Sequence, residues 1–179
     1  MSTHKSLTAA ALGLLLSGAV ASAQHAGLGK PISESDIKQW DIAILPDGSN
    51  LPPGSGTAAK GAAIFAQKCS VCHGEAGKGG VAPYYPALVG GQPLSNGIDT
   101  VKTIANYYAY ATTVFDFTRR AMPYNMSRSL TDDEVYSLTA YILALNKLIT
   151  EDEVMDANSL PKVKMPNRDN FIFPYPDRM

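Results

Sequence analysis

The chain of 179 residues is long enough for one domain and too short for two ordinary ones. Hydrophobic residues make up 45% and charged residues 17%, which excludes a disordered or collagen-like chain. Lys and Arg number 15 against 16 Asp and Glu, so no basic excess argues for a nucleic-acid partner, and two cysteines are too few for a disulfide framework.

Lys5 precedes the apolar run Leu7 to Val20, and Ala21-Ser22-Ala23 follows it. This is the pattern of a cleavable export signal over residues 1–23, and the run is short for a span of roughly 20 residues. The expected mature chain is periplasmic, starts at Gln24 and has no membrane span; its one other apolar stretch, Leu138 to Ile149, is broken by Asn146 and Lys147. Residues 24–56 read as an N-terminal extension, with turn chemistry at Pro46-Asp47-Gly48 and at Pro52-Pro53-Gly54-Ser55-Gly56. Trp40, the sole tryptophan, is expected to pin this arm to the body or to meet a partner.

A helix is predicted from near Thr57 to Cys69, carrying Ile64 and Phe65, and a Gly- and Pro-rich loop from Gly74 to Gly91. A second helix is predicted from Ile98 through Phe117, with Val101, Ile104, Tyr108, Ala111 and Phe115 as a core stripe. A loop with Met122-Pro123 and Met126 follows Arg119-Arg120. Thr131 and Glu134 then form a capping box, flanked by the staple residues Leu130 and Val135. Val135, Leu138, Tyr141, Ile142 and Leu145 make one apolar face of the resulting helix. Residues 150–179 are acidic and Pro-rich and are expected to wrap on the surface as a C-terminal extension. No strand pattern is convincing, so the expected class is all-α.

Cys69-Ser70-Val71-Cys72-His73 is C-x-x-C-H, the attachment signature for c-type haem. Two thiols three residues apart can bond the two vinyl groups on one porphyrin edge, with the next imidazole as proximal iron ligand. Zinc would need further Cys or His ligands, and past residue 23 the chain offers only His25. A redox dithiol would need a βαβ setting, and none is visible. For the sixth ligand, Met122 lies in the loop before the final helix, where Pro123 stiffens the chain. Met126 and Met165 are the alternatives. Arg119 and Arg120 fit support of a haem propionate or a solvated turn equally well. The carboxylate runs at Asp132–Glu134 and Glu151–Glu153 suit helix starts and solvated tails, so no independent catalytic site is assigned.

On these residues, positions 57–149 resemble a class I cytochrome c. The family's packed Gly and aromatic on the first helix are matched by Gly61 and Phe65, and their partner on the last helix by Tyr141. Its P-x-L-x-G segment is matched by Pro86-Ala87-Leu88-Val89-Gly90. The resemblance implies a class I cytochrome c fold with N- and C-terminal extensions. It also implies that the Pro86 carbonyl, or less readily that of Pro83, accepts the Nδ1–H of His73.

A narrower likeness rests on the Pro46–Gly56 run, Tyr110–Thr113, Arg119–Tyr124, Asp133–Tyr136 and Lys164–Asp169. These resemble the cytochrome subunits of sulfane and sulfite dehydrogenases in their monohaem form. That likeness implies one covalently attached haem c, electrons accepted from a molybdenum-containing dehydrogenase subunit, and a downstream cytochrome as acceptor. A free diffusible carrier and, more remotely, a haem enzyme that admits a small ligand are the other readings.

Overall fold

The computed structural model describes residues 29–79, 87–94 and 99–171. The export-signal segment 1–23, His25, Pro83, Pro86 and the expected helix start at Ile98 lie outside the described residues. The chain divides into two compact units, one ending at Asp41 and one beginning at Ile42. In the first, the short helix α1 (Glu34–Trp40) begins at a capping box in which the Ser33 hydroxyl accepts from the Asp36 N–H and the Asp36 carboxylate from the Ser33 N–H. None of its residues is buried, and Trp40 is 84% exposed.

The second unit holds β1 (Ser55–Thr57), α2 (Ala58–Lys68), α3 (Ser70–His73), α4 (Ile104–Tyr107), α5 (Ala111–Ala121), α6 (Asp132–Leu145) and β2 (Val154–Asp156). The Thr57 hydroxyl caps α2 by accepting from the Lys60 N–H, and the predicted capping box of Thr131 and Glu134 starts α6. Helices α2 and α5 pack on α6, and the core gathers there around Phe65, Phe115, Val135, Leu138 and Leu143, none more than 2% exposed.

α6 is buried more widely than the single face predicted. Tyr136, Thr139 and Ala140 are fully buried beside Val135 and Leu143, because the antiparallel pair β1–β2 covers the side that α2 and α5 leave open. A helix enclosed on all sides must satisfy its polar groups internally. The Ser137 and Thr139 hydroxyls do so by donating to the Asp133 and Val135 carbonyls at 2.7 and 2.8 Å. The Tyr136 hydroxyl donates to the Pro52 carbonyl at 2.9 Å. Burial, with the Asp156 and Asp132 carboxylates adding, pushes that phenol up to about 12.

Two expectations are corrected. The predicted second helix is two helices, α4 and α5, with an extended break at Tyr108 to Tyr110. The Asn167 side chain donates to the Tyr107 carbonyl at 2.8 Å, and the Arg168 guanidinium lies 4.0 Å from the Tyr110 ring centroid. The Asn167 amide thus claims a carbonyl that a continuous helix would use, and Val101 is left 63% exposed. The C-terminal segment is also not a surface wrap: Met155, Leu160 and Met165 lie in the core at 1%, 0% and 3% exposure. Its short strand, Val154–Asp156, pairs with Ser55–Thr57 so that Gly56 faces Met155. Leu160→Ala is accordingly expected to cost about 2–5 kcal/mol, read as a lower denaturant midpoint at unchanged slope; a neutral effect would return this segment to the surface.

Candidate functional site

The C-x-x-C-H residues form a single helical turn directly after α2. The Cys72 and His73 N–H groups both donate to the Cys69 carbonyl, at 3.1 and 3.0 Å. The Ser70 hydroxyl donates back to the Ala66 carbonyl at 2.7 Å, so α3 continues from α2 across a bend at Cys69. The turn ends at Gly74, with φ +71°, a left-handed conformation that costs glycine little. An added Cβ there would overlap the Gly79 carbonyl oxygen. Gly79 N–H in turn donates to the His73 carbonyl at 2.9 Å, closing the loop that follows His73.

Cys69, Cys72 and His73 are all half-buried, and the two thiols are not joined to each other. Burial pushes the Cys69 thiol up to about 11, against the opposing pull of Lys68. The uncharged thiol, or a thioether in its place, suits that position better than a thiolate. Among the described residues no cluster of three or more His, Cys, Asp or Glu side chains is arranged to hold a metal ion. Two unpaired half-buried thiols on one turn, an adjoining imidazole and a half-buried thioether on another element make a donor set that fits haem c.

Met122 is that thioether, at the C-terminal boundary of α5 and half-buried. Its peptide bond to Pro123 is cis. The two rivals are placed differently: Met126 is 58% exposed, and Met165 is packed in the core at 3%. Arg119 Nε donates to Asp132 Oδ1 at 2.8 Å, and Arg120 pairs with Asp116. The first of these pairs joins the end of α5 to the start of α6 and closes the base of the Met122 loop. Both arginines therefore have carboxylate partners, which neither sequence reading anticipated.

A third ion pair ties the attachment turn to the core. Lys68 Nζ lies 2.6 Å from Glu134 Oε1, just before Cys69. The Lys68 ammonium, seconded by the Thr131 N–H, holds the Glu134 carboxyl below its ordinary value of 4.5. A lowered folded-state value means that the stabilisation is complete above 4.5 and is lost as pH falls through the lowered value. Glu134→Gln should therefore lower stability at neutral pH and flatten the loss on acidification, measured by denaturation from pH 7 downward. Equal acid sensitivity of variant and parent would refute the pairing. This role could not be read from sequence, where Glu134 signals only a helix start.

The aromatic contact implied by the resemblance is present: the Phe65 and Tyr141 rings lie 5.4 Å apart at 57°, where α2 crosses α6 beside Gly61. The cytochrome c family model matches residues 58–146. The chain belongs to the cytochrome c family, as a class I c-type cytochrome, and its role is electron transfer. Its likeness to one solved chain is closer than membership alone. In the crystal structure of the sulfane dehydrogenase SoxCD from Paracoccus pantotrophus, one chain superposes with a TM-score of 0.73 at 38% identity, over 86% of this chain and 73% of that one. Thiosulfate dehydrogenase from Psychrobacter arcticus is 30% identical over 64% of this chain and 35% of its own length, so the chain spans about a third of that relative. No helix among the described residues is long and apolar enough to cross a membrane.

Proposed function

We propose that this protein is the electron-transfer subunit of a molybdenum-containing sulfur-compound dehydrogenase, exported to the periplasm, which accepts electrons from the catalytic subunit and passes them to another cytochrome. The observation that carries this reading is the reach of the SoxCD likeness. It covers 86% of the chain, well beyond the 58–146 core common to cytochromes c. The segments outside that core are built into the fold through β1–β2, Leu160 and Met165.

When bound, haem c supplies a one-electron ferric–ferrous couple. Cys69 and Cys72 would hold it by two thioether bonds, and the His73 imidazole and the Met122 thioether would bind its iron. The Pro86 carbonyl would accept the Nδ1–H of His73, fixing the tautomer of that imidazole. With the His73 imidazole and the Met122 thioether both committed to that group, its iron would offer no position to substrate, which suits one-electron exchange with an unchanged set of side chains.

Purification of the native complex, with metal analysis, tests the reading. Molybdenum and iron should co-elute with this chain and a larger subunit. A lone, molybdenum-free monomer from the producing cell would favour the free-carrier reading, and carbon monoxide binding to the reduced protein at neutral pH would favour a ligand-binding one.

A further inference from the structure

The last residue of the α6 region, Asn146, makes contacts that no capping role requires. Its Nδ2 donates to the Ile142 carbonyl at 2.9 Å, as a helix end would ask, and also to the Leu88 carbonyl at 3.1 Å. Its Oδ1 accepts from the Gly90 N–H at 3.0 Å. Both donor positions and the acceptor are therefore in use, and the amide has one workable orientation: a flip would set N–H against N–H and oxygen against two carbonyls.

The loop so held lies between Asn146 and the attachment turn. Leu88 N–H donates to the Gly77 carbonyl at 2.8 Å, and Gly79 N–H donates to the His73 carbonyl at 2.9 Å. From the other side the Thr103 hydroxyl donates to the Gly90 carbonyl and the Ile104 N–H to the Leu88 carbonyl. A side-chain amide at the end of the central helix is thus linked, through Leu88 and the Gly77–Gly79 turn, to the backbone of His73.

We propose that Asn146 is a positioning residue for His73: by clamping Leu88–Gly90 it holds the loop against the turn that follows His73 and so fixes the ring's orientation and hydrogen bonding. The proposal rests on the reading of His73 as the proximal iron ligand. It differs from a purely structural role in what it predicts at the ring. A residue that only ends a helix would change stability, whereas a clamp changes how well the His73 ring N–H is shielded.

The test uses the haem-loaded protein and nuclear magnetic resonance of the reduced state. Asn146→Ala should speed solvent exchange of the His73 Nδ1–H at least tenfold. Asn146→Asp keeps the acceptor for Gly90 but loses the donor to Leu88, and should give an intermediate rate. Tyr136→Phe, which removes a hydrogen bond from the N-terminal half of α6, serves as the control, with rates compared at equal margins below each thermal midpoint. Thr103→Val loosens the same loop from α4 and stands in if Asn146→Ala fails to mature. Wild-type exchange at His73 in haem-replete Asn146 or Thr103 variants, or equal acceleration by Tyr136→Phe, overturns the proposal. A ring N–H absent because another residue ligates the iron would instead overturn the reading beneath it.

Discussion

Gly61→Ala is expected to lower the stability of the fold sharply. A Cβ at position 61 would overlap the Ser137 carbonyl oxygen and lie 2.6 Å from the Ser137 carbonyl carbon and 2.7 Å from Tyr141 Cβ. Two of the three obstacles are backbone of α6, which cannot retreat, because Ser137 and its neighbours are enclosed by β1–β2 on the far side. Relief would require moving α2 away from α6, opening the Phe65–Tyr141 contact and shifting the Cys69–His73 turn with it. Overpacking typically costs 1–3 kcal/mol and more where the surroundings are rigid, so about 3 kcal/mol or more is expected here. That is a large part of the 5–15 kcal/mol that holds an ordinary domain together. The measurement is the denaturant midpoint together with the yield of haem-loaded protein. A variant that kept both would show that α2 and α6 are not in fixed contact at this crossing.

The second large effect is expected at Met122. On the ligand assignment proposed above, Met122→Ala opens the sixth iron position. The reduced variant then binds carbon monoxide, and the reduction potential falls, because a thioether favours the ferrous state. The structure sharpens the comparison with the other methionines. Met126, 58% exposed, should tolerate alanine within about 0.5 kcal/mol. Met165→Ala should cost about 2–5 kcal/mol through the cavity left in the core, with iron ligation unchanged. Optical spectra and carbon monoxide titration of the three variants separate these outcomes. An unaltered spectrum in Met122→Ala, with a change in either of the others, would transfer the ligand role to that residue.

The ion pair of Arg119 with Asp132 bears on the same loop. It joins the residue three before Met122 to the first residue of α6, so the segment from Met122 to Thr131 is closed at its base by one ion pair. The sequence offered Arg119 as a charge near a haem propionate or as a solvated turn. Its carboxylate partner lies in the capping region of another helix, where Asp132 reads only as a complement to the helix dipole.

What could be read from the chain alone was local. The C-x-x-C-H turn needs five consecutive residues, and the start of α6 needs the four from Thr131 to Glu134; both are in place. The class of protein follows from these with Gly61, Phe65 and Tyr141, whose spacing reflects one helix crossing. Tertiary structure decided whatever depends on groups far apart in sequence. Asn167 reaches a carbonyl 60 residues away to break the predicted helix at Tyr108, and Asn146 reaches an amide 56 residues away to hold the loop before it. The C-terminal segment showed no period because Met155, Leu160 and Met165 enter the core one at a time from a strand and turns. A periodic signal exists only where one regular element presents several side chains to the same surface. Isolated anchors leave none, although each buries as much apolar area as a residue in a helix.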